Sequence, residues 1–160
     1  MTIPILTATA AAAELTAAPI VPDWIMAGTP QASCKAVGFS EDRTSYIMIW
    51  ECTPGRFRWH YSEDETVVLI SGELFLTMEN GQERRLVAGD VAFFPAGSTC
   101  IWRITKTVRK VAVLRKTMPA PIGLLVRIWS KLARIRGRLN PHVERLSTEK
   151  VTMRAMQRAE

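Results

Sequence analysis

An all-β fold, a jelly-roll barrel with a helical C-terminal extension, is what this sequence predicts. Three observations carry that reading. Between residues 46 and 115 the chain is a succession of short β-branched and aromatic runs separated by turn residues. Glycines stand where those runs must reverse, at Gly72, Gly81 and Gly89. Beyond Pro119 and Pro121 the apolar period changes from two to between three and four.

The predicted strands are 46–52, 57–61, 66–71, 73–78, 83–86, 91–94, 100–104 and 108–114. About eight antiparallel strands in so short a stretch must bury one face, and a double sheet or barrel achieves it. Asn80-Gly81 between two runs predicts a tight type I′ hairpin, because both central positions of that turn need positive φ. In the tail Leu125, Ile128, Leu132, Ile135 and Leu139 recur at helical steps beside a basic row of Arg127, Lys131, Arg134 and Arg138. Gly137 and Asn140-Pro141 should end that helix, and a second, more polar one would start near Ser147. The expected organisation is a mobile Ala/Thr-rich arm over 1–22, a barrel over 23–118 and a basic amphipathic tail over 119–160.

A chain of 160 residues, 48% of them apolar, has room for one ordinary core and is not globally disordered. Its net charge of +6 is unevenly spread. Residues 1–114 carry 10 Lys/Arg against 12 Asp/Glu, a balance of −2, and residues 115–160 carry 11 against 3, a balance of +8. Three cysteines without a Cys-x-x-Cys spacing write neither a disulfide framework nor a thiolate zinc site, and free thiols suit a reducing compartment. The first residues lack the basic start of a secretory signal, and no long uncharged apolar run predicts a membrane span. A cytoplasmic location follows as the expectation, with the tail allowing a place at the membrane periphery.

Two segments carry the candidate chemistry. The first is Gly55 to Glu65, with Arg58, His60 and Glu65, closed by Gly72. The second is Gly89 to Cys100, with Pro95 and Gly97, followed by Trp102. On a strand, residues two apart share a face, so Arg58 and His60 point together while Phe57, Trp59 and Tyr61 point the other way. Glu65 shares a face with Val67 and Leu69, and Cys100 with Trp102. If these faces converge inside the barrel, an imidazole, a carboxylate and a thiolate surround one point, enough to coordinate a borderline divalent metal.

The two segments resemble the paired motifs of the cupin superfamily. Within it, Trp50 to His60, Trp102 and Val108 to Lys110 are similar to the small single-domain cupins of the ureidoglycine aminohydrolase cupin-domain type. The resemblance covers roughly residues 23–114. It implies a cupin-type double-stranded β-helix with a small-molecule ligand in the barrel, and commonly a homodimer. It also implies a metal site, with His60 and Glu65 at the positions of the second histidine and the glutamate of the first motif. The first histidine position is Arg58, and the third falls on Cys100. Ureidoglycine aminohydrolase implies manganese-assisted loss of ammonia, but it contains two cupin units where this chain has room for one.

Two classes of function follow. In one, the barrel is an enzyme, metal-assisted by Zn²⁺, Mn²⁺ or Fe²⁺ or working without a cofactor, acting on a small carboxylate or ureido metabolite. His60 or Glu65 would then be the acid, base or metal ligand, and Arg58 would hold the substrate. In the other, the barrel is a non-catalytic binding or sensing module. The metal set His60, Glu65 and Cys100 faces an objection, since only His60 and His142 exist in the chain and an Arg58 guanidinium brings the wrong charge. Arg58 would pair naturally with Glu65. His60 reads equally well as a core histidine bonded to Glu65, Cys52 and Cys100 as small apolar core residues, and Trp50, Trp59 and Trp102 as packing. For the tail, the stripe over 122–139 fits packing against protein or a membrane surface, whereas nucleic acid is disfavoured because no reader motif accompanies it.

Overall fold

The computed structural model describes residues 4–118 and 120–135. These residues fall into two compact units, one ending at Thr117 and the other beginning at Met118. Leu139, His142, the helix stop at Gly137 to Pro141 and the second helix from Ser147 lie outside the described residues.

The first unit is a curled antiparallel sheet. Its strands are β1 (Thr16–Ala17), β2 (Ile25–Ala27), β3 (Ala32–Phe39), β4 (Ser45–Cys52), β5 (Gly55–His60), β6 (Asp64–Met78), β7 (Glu83–Val87), β8 (Val91–Phe94) and β9 (Thr99–Arg115). One path runs β1-β3-β4-β9-β5-β2, and β6 pairs with β7, β8 and β9. The described part of the second unit holds one helix, α1 (Ala120–Ile135), with Pro121 in the first turn where its missing N–H costs nothing.

Two pairs of predicted strands are each one long strand. β6 joins 66–71 to 73–78, and β9 joins 100–104 to 108–114. Both serve the two halves of the barrel by bending rather than breaking. The β6–β9 register shifts between Leu69 and Ser71 and again on either side of Glu73, and such bulges sharpen the local twist. Gly72 sits at the bend with φ 88°, and a Cβ there would collide with the Thr107 carbonyl on β9. The Asn80-Gly81 turn is not type I′, because only Gly81 takes positive φ (82°). Asn80 instead accepts the Gln82 backbone N–H on its side-chain oxygen at 3.0 Å, giving a three-residue loop with the glycine in the left-handed position.

Three strands went unpredicted: β1, β2 and β3. β3 pairs along β4 with Cys34 opposite Trp50, and β1 extends the sheet with Thr16 opposite Cys34. The strand reading failed at β3 because Ala32, Ser33, Lys35 and Gly38 dilute its β-branched content. Arg109 ties residues 10–13 to the sheet, donating from Nε to the Ala10 carbonyl at 2.7 Å and from Nη2 to the Ala13 carbonyl. The core lies inside the curl, where Trp102, Phe57, Leu69, Leu74, Val67, Val108 and Cys52 are fully buried.

Candidate functional site

Strand alternation decides which side chains reach the interior. Phe57 on β5 faces Trp102 on β9, and Trp59 faces Cys100. Directly paired residues share a face, so these four turn inward together while Arg58 opposite Ile101 and His60 opposite Thr99 turn out. The sequence reading had the alternation right and the inward face wrong. Burying Phe57, Trp59 and Tyr61 removes far more apolar surface from water than burying Arg58 and His60, and both latter residues are exposed.

The five candidate residues therefore do not meet at one point. Glu65 is buried on β6 in the row with Val67 and Leu69, as its spacing predicted. Cys100 and Trp102 are buried on β9. The Trp102 indole donates to the Tyr61 hydroxyl at 3.0 Å, and that hydroxyl lies 3.7 Å from Cys100 Sγ. Burial pushes the Cys100 thiol up in pKa and the Tyr61 phenol well above its ordinary range. His60 instead shares a 3.0 Å hydrogen bond between Nδ1 and Thr99 Oγ1, and its ring meets Trp24 edge-on at 5.1 Å.

Glu65 pairs not with Arg58 but with Lys110. The Lys110 ammonium donates to Glu65 Oε1 at 2.6 Å, with side chains 4% and 6% exposed respectively. Lys110 Nζ also sits 4.7 Å from the ring centroids of both Trp50 and Trp102, within the range of cation–π attraction. Among the described residues Glu65 Oε2 accepts no hydrogen bond, yet no buried side-chain nitrogen or oxygen is left without a partner. Oε2 is therefore reached from the adjoining cavity. The signal for Lys110 was present in the sequence: Val108, Lys110, Ala112 and Leu114 alternate as one inward row, and only the charge hides the second of them.

The cavity holds about 250 Å³. Its walls are aromatic: Trp24, Tyr46, Trp50, Trp59 and Tyr61 line it, together with His60, Glu63, Glu65 and Lys110. Trp59 packs edge-on to both Trp24 (5.3 Å) and Trp50 (6.0 Å), and Trp50 to Trp102 (5.9 Å). Trp24 is delivered to this wall by a 3₁₀ turn, Pro22–Trp24, and by β2, which pairs Ile25 with Phe57. Tyr46 donates to Glu63 Oε2 at 3.0 Å, and burial first, then this carboxylate, pushes its phenol to about 12. Of the sequence candidates, His60 and Glu65 line the cavity, while Arg58, Cys100 and Trp102 do not.

Residues 39–112 match the model of the EutQ-like cupin domain. The barrel has a cupin-type fold. Its solved relatives include a protein of unknown function of the DUF861 family from Pseudomonas syringae pv. tomato, 28% identical, with a TM-score of 0.60. That match covers 64% of this chain and 45% of the other, so the chain spans less than half the length of that relative. A second is a putative ethanolamine utilization protein Q from Salmonella typhimurium, 24% identical over 55% of this chain and 72% of that one, TM-score 0.49. A third is a DUF861 family protein from Thermotoga maritima, 34% identical over 40% of this chain and 73% of that one, TM-score 0.39. No curated protein matches.

The metal that cupins imply does not fit the donors of this barrel. Among the described residues no three His, Cys, Asp or Glu side chains are grouped closely enough to hold an ion. Cys100 stands opposite Trp59 and not His60, and Glu65 is already neutralised by Lys110. Of the expected set, His60 and Glu65 line the cavity and Cys100 does not. A lysine ammonium beside the carboxylate supplies a positive charge where a cation would otherwise sit.

Proposed function

We propose that this cupin binds a small polar molecule at the Lys110–Glu65 pair, which takes the place of a metal as the polar centre of the barrel. The observation that carries this reading is a buried ammonium–carboxylate pair opening onto an aromatic-walled cavity. Ligand pockets of this kind are mostly apolar, with a few placed polar groups that orient the guest. Among the described residues Glu65 Oε2 accepts no hydrogen bond and so offers an acceptor, and the Lys110 ammonium donates one hydrogen bond, to Glu65.

A guest presenting a donor and an acceptor side by side matches that pair: an amide, a ureido group or a protonated carboxyl. The indole walls would lie against its flat face. His60 and Glu63 stand among the lining residues as further polar contacts. The likeness to the ureidoglycine aminohydrolase cupin domain adds weight to the ureido group alone, not to the reaction of that enzyme.

The same arrangement also favours a catalytic reading. A carboxylate oxygen open to the cavity is a general base, and an ammonium beside it stabilises an anion formed when a proton is taken. Isothermal calorimetry with N-carbamoylglycine, glycinamide and acetamide tests the binding common to both readings. Saturable one-site binding, weakened at least tenfold in the double variant Glu65→Leu/Lys110→Met, is the expected result. Binding of all three equally well by that variant would count against the site.

A further inference from the structure

We infer that α1 is an interfacial helix that lays the chain on an anionic lipid surface. The helix is 16 residues long, roughly 24 Å at about 1.5 Å per residue. No helix among the described residues is long and apolar enough to cross a membrane, so this one would lie along the surface. Its exposed apolar residues are large and include Ile122, Leu124, Leu125, Ile128, Trp129 and Leu132, with Trp129 70% and Leu125 64% exposed.

Position fixes the other half of the pattern. At about 100° per residue the positions of Ile122, Leu125, Trp129 and Leu132 fall on one side of the helix, within roughly 80° of arc. The positions of Arg127, Lys131 and Arg134 fall within roughly 60° on the opposite side. Residues 118–135 hold these three basic residues and no acidic one. An apolar face bearing tryptophan, opposite three basic positions and no acidic one, is the composition of helices that sit at headgroup depth and meet lipid phosphates. A second copy of the chain would bring another helix with the same basic row and no acidic row to receive it. An anionic surface is therefore the occupant that complements both faces.

The test is co-sedimentation of the full chain with vesicles of phosphatidylcholine alone and of phosphatidylcholine with phosphatidylglycerol. Each basic residue near an anionic surface strengthens binding roughly fivefold, so three should favour the anionic vesicles by on the order of 100-fold. Leu125→Ser/Trp129→Ser/Leu132→Ser and Arg127→Gln/Lys131→Gln/Arg134→Gln should each lower that binding at least tenfold. Thermal unfolding of the barrel, unchanged in both, shows that the variants remain folded. Equal partition on the two vesicles, no pelleting, or wild-type binding by the serine variant would overturn the proposal. So would an oligomer of the free protein that the serine variant dissociates without any vesicle binding, which would assign the face to a second copy.

Discussion

Lys110 and Glu65 each make the other tolerable inside the barrel. Removing one partner leaves an uncompensated charge, and breaking a buried ion pair in this way costs about 3–5 kcal/mol. Lys110→Met and Glu65→Gln should each lose stability on that scale in urea unfolding, although Glu65→Gln keeps the two indole faces around the ammonium. The thiols set a second expectation. Burial pushes Cys52 from 9.0 to about 12. Below 9.0 the thiol is protonated in both states and contributes nothing to the pH dependence. Between 9.0 and about 12 the unfolded chain loses its proton first, so the folded state binds more protons and stability falls as pH rises. Tyr46, raised from 10.0 to about 12, acts in the same direction. Chemical denaturation at pH 8, 9.5 and 11 should show a monotonic loss. At this scale the sequence spoke unevenly. The face of Glu65 was legible because Val67 and Leu69 declare it, while Lys110 was hidden because a charged residue in an inward row is rare unless paired.

For the elements, β5 carries the sharpest contrast. Phe57 is fully buried and Arg58, its neighbour, is exposed. Phe57→Ala should cost about 3–5 kcal/mol, whereas Arg58→Ala should stay within about 0.5 kcal/mol. Equal losses would mean that the strand faces the other way and that the expected pairing of Arg58 with Glu65 deserves return. Gly72 belongs to the same scale. With φ at 88° and the β9 backbone against its missing side chain, Gly72→Ala should destabilise by well over about 1 kcal/mol. Most strand positions were legible from period-two alternation. What alternation cannot supply is which of the two faces lies inside, since that depends on the cross-strand partner, and Trp59 opposite Cys100 settles it. β3 was not legible because its stability comes from pairing with β4 along nearly its whole length, not from its own residues.

Taken as a whole molecule, the chain joins a slightly acidic barrel to a basic extension. The barrel holds a cavity whose centre is an internal ion pair, and α1 presents an amphipathic surface. The charge division between these halves was readable from composition, because it needs no knowledge of contacts. The cavity was readable only in part. Its aromatic lining draws Trp24 and Tyr46 from elements far apart in sequence, and such convergence is a property of the closed sheet.

A double-mutant cycle on Glu65→Gln and Lys110→Met, read by urea unfolding of the four proteins, tests the central claim most directly. An ion pair shared in the barrel interior predicts non-additivity of about 2–3 kcal/mol, with the double variant much more stable than the sum of the single losses implies. Additivity within about 0.5 kcal/mol would mean that the two side chains do not share a site, and the polar centre described here would not exist.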